Sequence, residues 1–80
     1  MPNLSPSRHD PRLVALGSAI RSLRKQRKLS QEQLAELAGA DRSHLGRLER
    51  GDNEIAFLLL CRLADALGVT VAQLTNEAGL

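Results

Sequence analysis

The stretch from Ser30 to Gly51 holds the side chains best suited to chemistry, and its arginines favour recognition of nucleic acid. Arg42 and Arg47 lie on the polar face of a predicted helix, at its start and about one turn later. A guanidinium group can bond O6 and N7 of guanine together, which contributes about 1 to 3 kcal/mol of discrimination between bases. In an arbitrary helix the same arginines would be ordinary solvated residues. The elements that carry them therefore decide between the two interpretations.

Patterns typical of catalysis and of metal binding are missing from the sequence. It shows no cluster of nucleophile, base and orienting residue, no phosphate-binding glycine loop and no metal-ligand spacing. His9 has no ligand companions, and the lone Cys61 lies in an apolar run, where we expect an inert, buried or half-buried thiol. The sequence predicts that the protein is not an enzyme and uses no metal and no cofactor.

Two short amphipathic helices position the arginines. Ser30 is a good N-cap, so a second helix of the chain begins at Gln31, and Gly39 ends it. Asp41 caps a third helix, which Gly51 stops. A loop of only about 3 to 4 residues holds two such helices at a steep angle, the geometry of the DNA-binding helix-turn-helix. The third helix is then offered outward.

Three further helices complete an all-α fold. Apolar residues at three- and four-residue steps predict a first helix over roughly residues 11–27. A fourth helix ends at Gly68, and Thr70 caps a short fifth helix. We expect one compact five-helix domain over residues 11–80, after a flexible arm over residues 1–10. The predicted inward stripe of the fourth helix is Phe57, Leu60, Leu63, Ala64 and Leu67.

The fourth helix carries more apolar residues than one small core needs. Leu58 and Leu59 widen its apolar surface, and a second copy of the chain would cover the excess. The expected interface is a twofold dimer through the fourth and fifth helices that includes Val71 and Leu74. The alternative is that these are scattered exposed apolar residues, which are common. A chain of 80 residues is near the size at which a single core is marginal, which favours the dimer.

The charge distribution is lopsided although the net charge is only +2. Residues 8–28 contain seven basic side chains and one acidic one, whereas residues 51–80 contain one basic and four acidic. The basic side of the molecule can then lie against phosphate. The alternative is that these charges form an ordinary solvated helix face. Phe57 is the single aromatic residue, which disfavours a protein that stacks on RNA or single strands.

Cysteine usage and hydropathy give an expected location. A single cysteine cannot form an internal disulfide, which fits a reducing compartment. No run approaches the roughly 18 consecutive apolar residues of a membrane span, and the first residues lack the apolar core of a signal peptide. The sequence therefore predicts a cytoplasmic protein with no membrane partner.

The pattern from Leu29 to Gly51 resembles the phage repressor and Cro family of helix-turn-helix proteins, also called the XRE family. The resemblance covers about residues 13–76, and Ser-Gln, Leu-Ala, Gly and Glu-Arg-Gly all fall at matching offsets. Ile55 stands where the family usually has proline. That residue and the short length are similar to the controller proteins of restriction-modification systems, which are dimeric transcription regulators. The later matching residues are Leu60, Leu63, Ala64, Leu67, Gly68 and Val69.

The resemblance implies a role for each residue of the motif. The start of the third helix would enter the major groove, and the N-terminus of the second would meet a phosphate, which helix N-termini favour. Arg24 and Glu49 match a family pair that bridges the first and third helices and sets the angle of the latter. The implied base contacts are Arg42, Ser43 and Arg47, and the implied phosphate contacts are Gln31, His44, Arg27 and Lys28.

Two features depart from the family pattern. Gly46 lies inside the third helix, where glycine costs roughly 1 kcal/mol relative to alanine. Close approach to DNA or to a neighbouring subunit would explain it, and so would simple tolerance. Asp52 and Glu54 follow the motif where many relatives are basic, and their charges would repel phosphate.

These observations predict a homodimeric, sequence-specific regulator of transcription that binds double-stranded DNA at a roughly palindromic operator. One alternative is an antitoxin that binds a toxin through its exposed leucines and autoregulates its operon. Another is an adaptor that has lost DNA binding. A polymerase is a further partner that the sequence leaves open, and so is the sign of regulation.

Overall fold

The computed structural model describes residues 6–80, and these residues form five α-helices and no strand. The all-α, five-helix fold class predicted from the sequence is confirmed. The helices are α1 (Pro11–Gln26), α2 (Gln31–Ala38), α3 (Arg42–Arg50), α4 (Phe57–Leu67) and α5 (Val71–Glu77).

Helices α2, α3 and α5 begin at the polar caps that the sequence predicts. The side chains of Ser30 and Thr70 each accept a hydrogen bond from the backbone three residues on, and each forms a reciprocal capping box. The carboxylate of Asp41 accepts from the backbone N–H of His44 at 2.7 Å and caps α3. Such caps satisfy backbone donors that have no partner within the helix, which fixes where each helix starts.

The turn between α2 and α3 occupies residues 39–41. Gly39 has a φ of 71°, a left-handed conformation that glycine adopts without a Cβ penalty. The backbone N–H of Ala40 donates to the carbonyl of Ala35 at 2.9 Å and closes the end of α2. Three residues are too few for α3 to fold back along α2, so the connection fixes α3 across it.

A single aliphatic core joins the helices. α1 packs mainly against α3 and α5, while α2 packs against α3 and α4. Because every helix contributes to one core, α3 is held by its neighbours on its inner side and faces solvent on the other. The largest fully buried side chains come from all five helices and are Ile20, Leu34, Leu45, Leu48, Leu63, Leu67 and Leu74.

The inward face of α4 differs from the predicted one. Phe57 is 67 % exposed, whereas Leu59 is only 6 % exposed and lies in the core. Leu74 of α5 is fully buried as well, so the prediction that Leu59 and Leu74 belong to an apolar surface is wrong. Both side chains fill the core of the monomer. Leu58 is 68 % exposed and Val71 is half-buried, so these two remain at the surface.

Part of the predicted flexible arm is packed against the helices. The backbone N–H of His9 donates to the carbonyl of Gly51 at 2.8 Å. Asp10 caps α1, and its hydrogen bonds from the side chain and backbone of Arg12 lower its carboxyl pKa to about 2. Residues 1–5, the remainder of the predicted arm, lie outside the described residues. We therefore place the start of the folded domain before residue 11.

Candidate nucleic-acid interface

One side of α3 is apolar and buried, and the other is polar and exposed. Leu45 and Leu48 of α3 are buried in the core. The opposite side forms a shallow depression whose charged residues are all arginines. We call this surface the arginine face, and it consists of Gln31, Arg42, Ser43, Gly46, Arg47 and Arg50.

The arginine face contains the three residues predicted to contact bases. Arg42, Ser43 and Arg47 are exposed and line the same depression. An exposed helix of this kind can enter the major groove, where guanidinium donors meet the acceptors of guanine. The fold thus places these side chains where base contact is sterically open, and the contact itself stays a prediction.

A buried ion pair connects α1 to α3 behind the arginine face. Nε of Arg24 donates to Oε2 of Glu49 at 2.7 Å, and Nη2 donates to Oε1 at 3.1 Å. The two side chains are only 9 % and 2 % exposed. Nη1 of Arg24 also donates to the carbonyl of Leu29 at 2.9 Å, just before α2. The ion pair that the family resemblance implied is therefore present. The guanidinium of Arg24 links α1 to α3 and to the start of α2.

Gln31 has a partner that the sequence did not indicate. Its Nε2 donates to Oε1 of Glu49 at 2.9 Å, so the amide joins the buried ion pair. The side chain was predicted to meet a phosphate, and the structure instead directs one of its donors into the protein. The backbone N–H of Gln31 lies at the N-terminus of α2, where an anion would be favoured.

α1 crosses the end of α3 at Gly17, a residue that the sequence analysis missed. A Cβ at this position would collide with the backbone carbonyl oxygens of Leu48 and Glu49. A Cβ on Gly51 would likewise lie only 2.8 Å from the Cα of Val14. The two glycines permit a close approach of the backbones, which fixes the distance between α1 and α3. In the sequence, Gly17 stood out only as a glycine inside a helical pattern.

The acidic loop after α3 is bonded to the N-terminal segment. Oδ1 of Asp52 accepts from Nε2 of His9 at 2.7 Å, and Oδ2 accepts from Nε of Arg50 at 3.1 Å. The hydrogen bond from His9, the hydrogen bond and charge of Arg50, and the charge of Arg8 keep the pKa of the Asp52 carboxyl below its ordinary value. The charge that was expected to repel phosphate is therefore largely compensated within the protein.

Asn53 and Ser7 complete this cluster. In the amide orientation that satisfies both of its ends, Asn53 accepts from Nε of Arg47 at 3.3 Å and donates to the carbonyl of Asp52 at 2.9 Å. The hydroxyl of Ser7 donates to Oε2 of Glu54 at 3.1 Å. Through Asp52 and Asn53 the loop thus contacts Arg50 and Arg47 of the arginine face.

The remaining predicted phosphate contacts have different surroundings. Nε of Arg27 donates to the carbonyl of Leu67 at 3.0 Å, so this arginine caps the end of α4. Lys28 is exposed in a left-handed conformation with φ 58°, and the side chain of His44 is half-buried. Arg27 thus makes one contact within the fold, and both Arg27 and Lys28 are exposed.

Other classes of site find no support in the described part of the chain. Residues 6–80 contain no group of three or more His, Cys, Asp or Glu that could hold a metal ion. Within the same residues, no single helix is long and apolar enough to cross a membrane. The pair α4 and α5 passes that test only jointly, and the two helices are bent by 88° at their junction.

The fold and the arginine face define a helix-turn-helix protein in which α2 and α3 form the motif. A family model described as helix-turn-helix matches residues 20–74, and the chain belongs to this family, of the XRE type. Its members are DNA-binding transcription regulators, which are not enzymes. The chain is therefore a DNA-binding transcription regulator of the repressor and controller type.

Two curated relatives are similar over most of the chain. Control protein C.SmaI of Serratia marcescens is 40% identical over 65 residues, which is 81% of this chain and 77% of that protein. The immunity repressor protein of Bacillus phage phi105 is 39% identical over 67 residues, 84% of this chain. The match spans only 46% of that repressor.

Solved structures agree with this assignment. The restriction-modification controller protein C.AhdI from Aeromonas hydrophila superposes with a TM-score of 0.76 at 42% identity, covering 78% of this chain and 94% of that one. The clp gene regulator ClgR from C. glutamicum gives a TM-score of 0.81 at 38% identity, with 86% and 87% covered.

Proposed function

We propose that this chain is a homodimeric transcription regulator that binds a roughly palindromic operator, as a controller of restriction-modification genes would. The observation that carries the proposal is the arginine face, an exposed donor-rich surface on a helix that is fixed from behind by a buried ion pair. The relatives named as controller proteins support the particular class. Occupation of the operator would exclude or recruit polymerase.

Specific binding would rest on the exposed side chains of α3. Arg42, Ser43 and Arg47 would contact base edges in the major groove, with guanine as the expected partner of each arginine. Lys28, His44 and the backbone N–H of Gln31 would contact phosphates and fix the register on the duplex. A guanine-containing half-site follows from these roles.

A second copy of the chain would cover the exposed residues of α4. Phe57 and Leu58 are adjacent and about two-thirds exposed, at 67 % and 68 %. Two large apolar side chains in contact with water favour a partner surface, and a twofold axis makes that surface self-complementary. Val71 is half-buried on α5 and would lie at the edge of this contact. The two arginine faces would then meet half-sites about one DNA turn, roughly 34 Å, apart.

Selection of bound sequences from random DNA duplexes tests the proposal. We expect an inverted repeat with guanine in each half-site, and an affinity that falls steeply as the salt concentration rises. Arg47→Ala should weaken the selected operator by about 5- to 150-fold and random duplex far less. Arg21→Ala, which removes an exposed arginine of α1 outside the arginine face, is the matched control. Selection of no inverted repeat would contradict the operator model.

The dimer has its own test. Leu58→Asp should convert the dimer into a folded monomer, as measured by light scattering after size-exclusion chromatography. Leu37→Asp is the matched control, because Leu37 is a similarly exposed leucine, at 61 %, on α2. A wild-type protein that is monomeric at micromolar concentration would rule out the interface, and equal effects of the two substitutions would place it elsewhere.

A further inference from the structure

Gly46 lies among the donors of the arginine face, in the middle of α3. Glycine is unfavourable inside a helix, because a glycine loses more backbone freedom on folding than an alanine does. α3 is only nine residues long, so one unfavourable residue lowers its summed helix propensity by a large fraction. The glycine at this position is therefore locally unfavourable for α3.

The fold does not require a glycine at this position. A Cβ at position 46 would lie 3.4 Å from Nη1 of Arg50 and 3.8 Å from Oε1 of Gln31. The first atom is the far end of a flexible side chain, and the second distance is ordinary van der Waals contact. Gly46 also has no positive φ, unlike Gly39 and Gly51. Alanine would fit the isolated protein at this position.

Gly17 shows how a glycine required by the fold differs. A Cβ there would collide with backbone carbonyl oxygens of α3, which cannot move without the helix. Within the described residues, Gly17 and Gly46 are the two helical glycines, and only the first is forced by packing. The monomer thus gives no packing reason for a glycine at position 46, which is buried at the floor of the arginine face, next to the side chains of Gln31 and Arg50.

We propose that Gly46 is a specificity-determining residue, whose missing side chain forms a notch that receives the edge of a base pair in the major groove. The inference rests on the proposed function and assigns a role to Gly46, which the proposed function leaves unexplained. Without a Cβ, the backbone of α3 lies closer to the base pairs by roughly the width of a methyl group. The lining consists mainly of Arg42, Arg47 and Arg50, whose guanidinium groups are donors only, together with Ser43 and Gln31, which can both donate and accept. The edge that fits is one rich in acceptors, that of guanine.

The substitution Gly46→Ala separates stability from recognition. We expect its melting temperature to rise by about 4–8 °C, because alanine favours the helix. Its affinity for the operator selected by the wild-type protein should fall on the order of 10-fold, while its affinity for random duplex changes less than about twofold. A repeated selection with the variant should change the preference at a guanine-containing pair.

Ser18→Ala is the control for added helix stability. Ser18 is an exposed residue of α1 in a groove beside α5, away from the arginine face. This variant should keep the wild-type ratio of operator to random affinity. Three results for Gly46→Ala would overturn the inference: unchanged operator affinity, equal losses on both duplexes, or a lowered melting temperature. Failure of the wild-type protein to select any operator would instead refute the proposed function itself.

Discussion

The buried pair of Arg24 and Glu49 gives the sharpest prediction on stability. Glu49→Ala would leave a guanidinium that is about nine-tenths buried without its carboxylate. Removing one partner of a buried ion pair costs about 3–5 kcal/mol, because the remaining charge is desolvated and uncompensated. A domain of 80 residues has a total free energy of unfolding of about 4–12 kcal/mol. The single substitution should therefore remove about a quarter or more of the stability.

The double variant Arg24→Met with Glu49→Leu provides the decisive comparison. It removes both charges together, so we expect it to regain most of the stability that Glu49→Ala loses. The free energies come from urea unfolding followed by circular dichroism, with unchanged m-values as the sign that the transition is still two-state. Arg12→Met is the control, because Arg12 is 78% exposed and solvent screens its pair with Asp10.

DNA binding by the double variant tests the orienting role. Its α3 would keep the arginine face but lose the bonds from α1 and α2 that fix it. We expect weaker operator binding with nearly unchanged binding to random duplex, since the phosphate-contacting charges remain. A double variant as unstable as Glu49→Ala would refute the account of the uncompensated charge, and one with wild-type operator affinity would refute the orienting role.

Three further predictions follow from single residues. Leu59→Ala should destabilise the protein by about 2–5 kcal/mol and Leu37→Ala by under about 0.5, because only the first side chain fills the core; equal losses in urea unfolding would contradict this assignment. Gly17→Ala should destabilise the protein by about 1–3 kcal/mol, since α3 has to move away from α1. A raised melting temperature would contradict the close approach of the two helices at Gly17. The carboxyl of Asp10 has its pKa lowered from 3.8 to about 2, so its contribution is present above pH 4 and is lost as the pH falls toward 2. Between pH 4 and pH 2 the melting temperature should fall less in Asp10→Asn than in the wild-type protein. Identical pH profiles of the two proteins would contradict the capping contact.

Local chemistry made much of the fold predictable from the sequence. Ser30, Asp41 and Thr70 cap their helices as expected, because a cap acts on backbone groups two or three residues away. Gly39 and Gly51 end α2 and α3 for the same kind of local reason, a left-handed backbone. The placement of Arg42, Ser43 and Arg47 on one exposed face followed once the two helix ends were known.

Long-range contacts explain the predictions that failed. Consecutive leucines at 58–60 satisfy two helical phases equally well, so periodicity alone did not choose the phase that buries Leu59 and exposes Phe57. Arg27 was predicted to contact phosphate, which stays a prediction, and the sequence did not indicate that it also caps the end of α4 at Leu67, 40 residues further along the chain. A guanidinium on a long side chain reaches partners that no local pattern indicates. The bond from Gln31 to Glu49 was not predicted for the same reason, since Glu49 lies on the next helix, and the phosphate contact of Gln31 stays a prediction.

The acidic loop after α3 shows how the fold changes the meaning of a charge. In the sequence, Asp52 was an obstacle to DNA, because a carboxylate beside a phosphate is repelled. In the structure it holds Arg50 and is itself held by His9, while Asn53 holds Arg47. An arginine that already has a fixed position loses less conformational freedom on binding than a free one. The loop therefore limits the freedom of two arginines on the arginine face, and the negative charge of Asp52 is paired with Arg50, one of the cations that the loop positions.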